Sequence, residues 1–137
     1  MDLTYPPEAE SFRVEIRSWL EENLPEGWFD DDFTMTDEER ADFNRAWPAK
    51  MTEGRWFCAS WPEEYGGRGL STMESVVLAE EFHRAKAPMR GDFFGDPLEG
   101  PTILQWGSEE QKQQFIPGIL SGETRWCQGF SEPDAGS

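Results

Sequence analysis

The sequence predicts a mainly helical protein of about five helices that ends in a single β-strand. Three observations indicate this class. Apolar residues recur at helical spacing along most of the chain, three Ser or Thr residues are each followed three positions later by Glu or Gln, and the last apolar stretch alternates with a period of two. Aromatic residues make up 14% of the 137 residues, enough to build a packed core.

The first helix is predicted over residues 8–24. Four apolar residues have the spacing that places them on one face of an amphipathic helix: Phe12, Ile16, Trp19 and Leu20. Pro7 suits the first turn, where a missing N–H leaves no bond unmade. Pro25 is expected to end the helix, and residues 26–35 are predicted to form a loop.

The second helix is predicted to begin at a capping box, in which Thr36 and Glu39 satisfy each other's free backbone donors. Phe43 and Trp47 lie one turn apart in this helix. Pro48 removes a backbone hydrogen bond, so we expect it either to kink the helix or to divide it.

The stretch WPEEYGGRGLS, residues 61–71, is the clearest break in the chain. Its proline and three glycines favour a structural turn, since it lacks the Gly-Lys-Ser/Thr of a phosphate-binding loop. A second capping box, from Ser71 to Glu74, predicts a third helix that ends before Pro88.

Two helices and a strand are predicted after this point. A short helix spans 100–107, and a third capping box from Ser108 to Gln111 begins a helix that runs to Pro117 or just past it. Residues 126–131 then alternate as in a strand, with Trp126, Gln128 and Phe130 on one side and Cys127, Gly129 and Ser131 on the other. A lone strand cannot satisfy its own backbone, so we expect its partners to lie outside this sequence.

The charge balance excludes several classes of partner. The chain carries 28 acidic against 12 basic residues, a net charge of −16 that repels phosphate backbones and anionic lipids. We therefore expect no nucleic acid and no membrane partner. No apolar run approaches the roughly 20 residues needed to span a bilayer, and the first residues do not resemble a signal peptide, so a cytoplasmic location is predicted.

Cysteine and histidine usage does not predict a metal site or a nucleophile. Cys58 and Cys127 follow no metal-ligand spacing, and two thiols do not form a disulfide scaffold. His83, the one histidine, is expected near the end of the third helix, where packing or helix-end stabilisation is the better interpretation.

Four stretches, in this order, resemble the N-terminal part of the acyl-CoA dehydrogenase family. They are WPEEYGGRG (61–69), LAEEFHRAKAP (78–88), GPTILQWGSEEQKQQFIPGILSGE (100–123) and WCQGFSEPDAGS (126–137). Each is weak alone, whereas the combination is specific. The resemblance covers nearly the whole chain and implies an N-terminal helical domain over 1–122, with 123–137 as the start of a truncated middle β domain.

The resemblance also implies an activity: oxidation of an acyl-CoA thioester to the 2,3-enoyl-CoA, with hydride transfer to FAD. Electrons would pass to an electron-transfer flavoprotein, and the enzyme would be a homo- or hetero-oligomer. The family's first flavin-contacting segment falls on five residues of this chain: Gln128, Gly129, Phe130, Ser131 and Gly136. Ser131 would offer its hydroxyl near the flavin, and Ser137 would contact the acyl-CoA. Composition alone would make this segment a tight turn between two strands.

No residue of this chain matches the family's catalytic carboxylate, so the base is expected outside it. We therefore expect the isolated chain neither to hold FAD tightly nor to turn over acyl-CoA. Two interpretations of the truncation stay open: a fragment of a full-length dehydrogenase, or one subunit of a split dehydrogenase. A non-catalytic helical interaction module is the alternative from another functional class, because it explains the acidic surface and the aromatic core without chemistry.

Overall fold

The computed structural model describes residues 4–89, 92 and 94–136, which divide into two units, Met1–Arg90 and Gly91–Ser137. The first unit contains three α-helices: α1 (Pro7–Asn23), α2 (Asp37–Glu53) and α3 (Thr72–Arg84). One turn of 3₁₀-helix, Glu63–Tyr65, lies between α2 and α3.

The second unit contains a short π-helical turn and two α-helices. The π-helical turn spans Gly95–Glu99 and continues into α4 (Gly100–Trp106), which is followed by α5 (Glu109–Ser121). The prediction of a mainly helical protein with about five helices is confirmed over the described residues. Within those ranges, no helix combines the length and the apolar character that crossing a bilayer requires.

Residues 126–131, predicted as a strand, form no strand in the part of the chain that the structure describes. The only strand-type pairing there is an isolated antiparallel bridge between Glu132 and Ala135. The physical reason is that a strand exists only when a neighbour accepts its backbone hydrogen bonds, and the described chain supplies no such neighbour.

All three predicted capping boxes form. Thr36, Ser71 and Ser108 each accept a hydrogen bond from the backbone N–H three residues later, and the side chain of that later residue accepts the cap residue's own N–H in return. Each box satisfies two backbone donors that a helix start otherwise leaves without a partner. These boxes fix where α2, α3 and α5 begin.

Pro48 does not divide α2, which runs as one helix from Asp37 to Glu53. The carbonyl of Pro48 accepts a hydrogen bond of 2.9 Å from the Thr52 hydroxyl. Pro117 is likewise included in α5, which ends four residues later at Ser121. Gly122 then closes α5 in the left-handed conformation, with φ of 77°, which glycine adopts at little cost.

The core of the first unit lies between α1 and α3. The buried face of α1 consists of Ala9, Phe12, Ile16 and Leu20, close to the face predicted for this helix. Trp19 completes it as the centre of an aromatic cluster: its ring lies 5.4 Å from that of Trp47, 5.3 Å from that of Trp56 and 6.3 Å from that of Phe82. Aromatic pairs at such distances add about 0.5–1.5 kcal/mol each beyond the area they bury.

The glycine-rich stretch 61–71 is a packed turn of the first unit. Gly66 has φ of 87°, and a Cβ on Gly67 would lie 2.0 Å from the carbonyl oxygen of Trp61. The Arg68 guanidinium lies 4.0 Å from the centre of the Trp56 ring and pairs with Glu15 on α1. The positive charge of Arg68 therefore interacts with residues of the first unit. This supports the structural interpretation of the loop over phosphate binding.

Candidate functional site

An open apolar groove of about 570 Å³ lies within the second unit. Side chains from the π-helical turn, α4, α5 and the segment after α5 line it: Leu98, Glu99, Thr102, Ile103, Trp106, Gly107, Gln111, Phe115, Trp126 and Gln128. Trp126 is held there by an edge-to-face contact with Phe115, with ring centres 5.5 Å apart. The groove is therefore lined both by the helices of the second unit and by the segment that contains the predicted site residues.

The segment beyond the groove ends in a tight turn. Glu132 and Ala135 exchange two backbone hydrogen bonds, of 2.6 and 3.2 Å, across Pro133 and Asp134. Proline and aspartate favour such a turn, because proline presets its own φ and aspartate tolerates turn conformations. The tight turn that composition alone favours is therefore present, and no strand flanks it within residues 94–136.

The structure brings the predicted flavin-contacting residues onto one exposed segment. Gln128 lines the groove, whereas Phe130 is 82% exposed and Ser131 lies on the surface. A Cβ added to Gly129 would meet nothing within 4 Å. The predicted contacts of these residues with a flavin stay predictions, and Ser137, predicted to contact the substrate, lies outside the described residues.

Gly136 lies close to Ser131 at the base of the turn. A Cβ at this position would lie 3.0 Å from both the Cβ and the Oγ of Ser131, closer than nearly all real contacts of that kind. Glycine therefore allows the two ends of the turn to approach each other. The predicted contact of Gly136 with a flavin stays a prediction.

The groove contains two polar atoms that sequence reasoning missed. Glu99 Oε2 and Trp126 Nε1 are buried and have no hydrogen-bond partner among the described residues. A buried polar atom without a partner costs about 1–3 kcal/mol. The sequence signal that could have indicated the groove is the apolar character of α4. Its last residue, Trp106, is 82% exposed and lines the groove.

The first unit contains a second polar cluster, centred on Glu81 of α3. The Glu81 carboxylate is 1% exposed and accepts hydrogen bonds from three arginines, Arg13 at 2.7 Å, Arg17 at 2.8 Å and Arg84 at 2.8 Å. Burial alone would raise the pKa of Glu81, but the hydrogen bonds from these arginines outweigh it and lower the pKa to about 2.

This environment makes Glu81 unsuited to proton abstraction. A general base works best with a pKa near the working pH, and a carboxylate held near 2 by three arginines takes up a proton only in strong acid. Over the described residues, no group of three or more His, Cys, Asp or Glu side chains could hold a metal ion. The cluster therefore serves to join α1 to α3.

Comparison of the sequence with known proteins finds a matching family model and several similar proteins. A family model described as "Acyl-CoA dehydrogenase, N-terminal domain" matches residues 6–123. The acyl-CoA dehydrogenase IpdE1 of Mycolicibacterium smegmatis is 40% identical over 95% of this chain and 34% of its own length. The acyl-CoA dehydrogenase FadE26 of Mycobacterium tuberculosis is 33% identical over the whole chain and 34% of its own length.

Two solved structures also match nearly the whole chain. The ChsE4-ChsE5 complex from Mycobacterium tuberculosis matches with a TM-score of 0.69 and 32% identity, over 99% of this chain and 33% of that one. The structure titled "Tcur3481-Tcur3483 steroid ACAD" matches with a TM-score of 0.68 and 34% identity, over 99% of this chain and 34% of that one. The chain thus spans about a third of the length of these four relatives.

Proposed function

The chain belongs to the acyl-CoA dehydrogenase family, and from this premise we propose that it forms the N-terminal part of an FAD-dependent acyl-CoA dehydrogenase. The proposed reaction oxidises an acyl-CoA thioester to the 2,3-enoyl-CoA. The observation that carries the proposal is the match of the N-terminal domain model to residues 6–123, which cover most of the first unit and the helices of the second. We do not propose that this chain alone carries out the oxidation, because about two-thirds of the length of the Mycolicibacterium smegmatis relative has no counterpart in it.

The exposed segment 128–131 fits a flavin-binding role. The Ser131 hydroxyl is exposed and has no hydrogen-bond partner among the described residues, and the space around Gly129 is open, so a planar ring system could approach the backbone there. FAD supplies the hydride-accepting chemistry of such a reaction. We propose that Gln128, Gly129, Phe130, Ser131 and Gly136 border it.

The proposed tasks of this chain's residues are binding and orientation. Ser131 would donate a hydrogen bond from its hydroxyl to the edge of the flavin, and Gln128 would form part of the adjoining groove wall. Phe130, 82% exposed, would exclude water from the face it covers once the site is complete. No residue of this chain is proposed as the base, and Glu81 is excluded from that role by its lowered pKa.

A chimera tests this proposal. Residues 1–137 replace the matching third of the Mycolicibacterium smegmatis relative, and flavin absorbance and its bleaching by acyl-CoA are measured. We expect the chimera to hold flavin and to bleach, and the isolated chain to do neither. Turnover by the isolated chain, or a folded chimera without flavin, would contradict the proposal.

A matched pair of substitutions in the chimera tests the proposed role of Ser131. Ser131→Ala removes the hydroxyl and is expected to weaken flavin binding about tenfold, the equivalent of one hydrogen bond. Ser131→Thr keeps the donor and is expected to bind within about threefold of the unchanged chimera. Equal flavin affinity in the two variants would exclude a hydrogen bond from this hydroxyl.

The titles of two solved neighbours bear on the oligomeric state. Both the ChsE4-ChsE5 and the Tcur3481-Tcur3483 structures pair two different chains, so we propose an oligomer, homomeric or heteromeric, that includes this chain. The second title names a steroid enzyme, from which we propose a ring-bearing acyl group as the substrate class. An electron-transfer flavoprotein as acceptor and a cytoplasmic location stay predictions.

A further inference from the structure

Five aromatic rings of the first unit form a continuous series, which we call the aromatic row: Trp56, Trp19, Trp47, Phe43 and Trp28. The ring centres lie 5.3 Å apart from Trp56 to Trp19 and 5.4 Å apart from Trp19 to Trp47. The Phe43 ring then lies 5.3 Å from that of Trp47 and 5.3 Å from that of Trp28. These contacts stabilise the core, and they also connect four indole rings, which are among the side chains that give up an electron most readily.

The two ends of the aromatic row differ in their access to water. Trp56 is 2% exposed, whereas Trp28 is half-buried and lines a surface depression of about 350 Å³. Two acidic and two basic side chains share that depression: Asp30, Asp31, Arg84 and Lys86. Their formal charges cancel, so positive charge on the Trp28 ring meets no net opposing charge there.

The buried end is the harder one to oxidise. The Arg68 guanidinium lies 4.0 Å from the centre of the Trp56 ring, and a cation so close opposes a second positive charge on that ring. Glu15 pairs with Arg68 and offsets part of this effect. Trp56 Nε1 is buried and has no hydrogen-bond partner among the described residues, so no acceptor there stabilises an oxidised indole.

The other end of the aromatic row has the acceptors that Trp56 lacks. Trp47 Nε1 donates a hydrogen bond of 2.8 Å to the carbonyl of Pro88, and Trp28 Nε1 donates one of 2.7 Å to the carbonyl of Ala85. Loss of an electron makes the indole N–H a charged donor, and hydrogen bonds from charged donors are roughly twice as strong as neutral ones. Positive charge is therefore least stable on Trp56 and more stable toward Trp28.

We propose that the aromatic row carries single oxidising equivalents from the interior of the first unit to its surface. A one-electron oxidant of the radical class, such as the carbonate radical, takes an electron from Trp56. Trp19 then reduces Trp56, and Trp47 reduces Trp19. Trp28 reduces Trp47 across the Phe43 ring and loses its Nε1 proton to water.

A soluble reductant completes the cycle, because ascorbate or a thiol returns one electron and one proton to the neutral Trp28 radical. The oxidant has then gained one electron, the reductant has lost one, and the aromatic row is unchanged. This activity goes beyond the proposed function and does not depend on it, since every member of the row lies in the first unit.

A tethered photo-oxidant tests the proposal. A ruthenium tris-bipyridine group is attached to the full chain through Glu53→Cys, at the end of α2 and three positions before Trp56, with Cys127→Ser to remove the exposed native thiol. A light flash with a cobalt(III) pentaammine complex as electron acceptor leaves Ru(III), which takes one electron from the protein. We expect a transient tryptophan radical in absorption and, without reductant, stable oxidation mainly at Trp28 by peptide mass spectrometry. Stable oxidation mainly at Trp56 would overturn the proposal.

Two substitutions interrupt the aromatic row while keeping a ring at each position. Trp47→Phe is expected to lower the oxidised fraction of Trp28 by more than half and to raise that of Trp56, because phenylalanine does not give up an electron to an oxidised indole. Trp19→Phe interrupts the row one ring earlier and is the second variant if Trp47→Phe does not fold, which circular dichroism checks. Trp106→Phe, in the second unit, is the control and is expected to leave the oxidised fractions unchanged. An unchanged oxidised fraction of Trp28 in a folded variant of the row would overturn the proposal.

Ascorbate tests the last step at the surface. In the unchanged labelled chain, we expect ascorbate to shorten the lifetime of the tryptophan radical and to lower the oxidised fraction of Trp28 by more than half. In Trp47→Phe the radical stays on the buried side of the row, so ascorbate is expected to shorten its lifetime less. An equal response of the two chains to ascorbate would contradict transport to the surface.

Discussion

Glu81 is a buried carboxylate whose negative charge is compensated by neighbouring arginines. Its carboxylate is removed from water, which is costly for an ion unless hydrogen bonds and opposite charges replace the lost hydration. Arg13 and Arg17 on α1 and Arg84 on α3 supply that replacement. The pair of helices is therefore joined by a buried ionic network in addition to its apolar contacts.

Replacing Glu81 by glutamine is expected to lower the free energy of unfolding by about 3 kcal/mol, because three arginines then lose their common anion. Glu80→Gln is the matched control. The Glu80 side chain is 44% exposed and also pairs with Arg13, so its loss is expected to cost under about 1 kcal/mol. Urea unfolding measures both, and equal losses would contradict the account.

The lowered pKa of Glu81 predicts a specific loss of stability in acid. Its pKa in the folded state, about 2, lies below the ordinary value of 4.5, so its contribution is complete above pH 4.5 and lost as the pH falls toward 2. We expect the difference in unfolding free energy between the unchanged chain and Glu81→Gln to shrink by about 3 kcal/mol over that range. A difference that is constant from pH 6 to pH 2.5 would contradict this.

At the scale of the element, the three capping boxes determine where helices begin. In the box of α3, hydrogen bonds from the hydroxyl and the backbone N–H of Ser71 lower the pKa of Glu74. A residue pair three positions apart produces this geometry locally, without help from distant parts of the chain. That is why these boundaries could be predicted from the sequence.

Ser71→Ala is expected to lower the free energy of unfolding by about 1 kcal/mol, since the cap accepts the N–H of Glu74 and no other group replaces it. Ser18→Ala is the control: Ser18 lies exposed in the middle of α1, where alanine is a good helix former. We expect a change within about 0.5 kcal/mol for Ser18→Ala. The same unfolding titration measures both, and a larger effect at Ser18 would contradict the role of the cap.

The segment 126–131 behaves differently from the helices, although its sequence pattern is equally clear. A helix pairs its backbone within itself, whereas a strand depends on a neighbour that can be far away in sequence. The alternation of Trp126, Gln128 and Phe130 therefore predicts the side that each residue takes, but not whether a strand forms.

At the scale of the whole molecule, the net charge of −16 affects stability. Self-repulsion among like charges opposes the compact state, and salt screens it over roughly 10 Å at 0.1 M. We therefore expect the melting temperature to rise when NaCl is increased from about 0.01 to 0.5 M. A melting temperature that falls with salt would contradict this expectation.

A charge-reduced variant is the control for the salt response. Asp30, Asp31 and Asp32 lie exposed in the loop after α1, and replacing all three by asparagine removes three negative charges. The melting temperature of this variant is expected to rise less with salt than that of the unchanged chain. An identical salt response would show that the effect does not come from net charge.

The sequence by itself determined the helices, the caps, the packed glycine turn and the family, because each depends on residues close together or on motifs in a fixed order. Only the tertiary structure showed that Glu81 is buried among three arginines, since Arg13 and Arg17 lie more than 60 positions away. It also showed the apolar groove, which takes side chains from four separate segments of the second unit. Burial and convergence of this kind arise from packing between distant parts of the chain, and no local pattern encodes them.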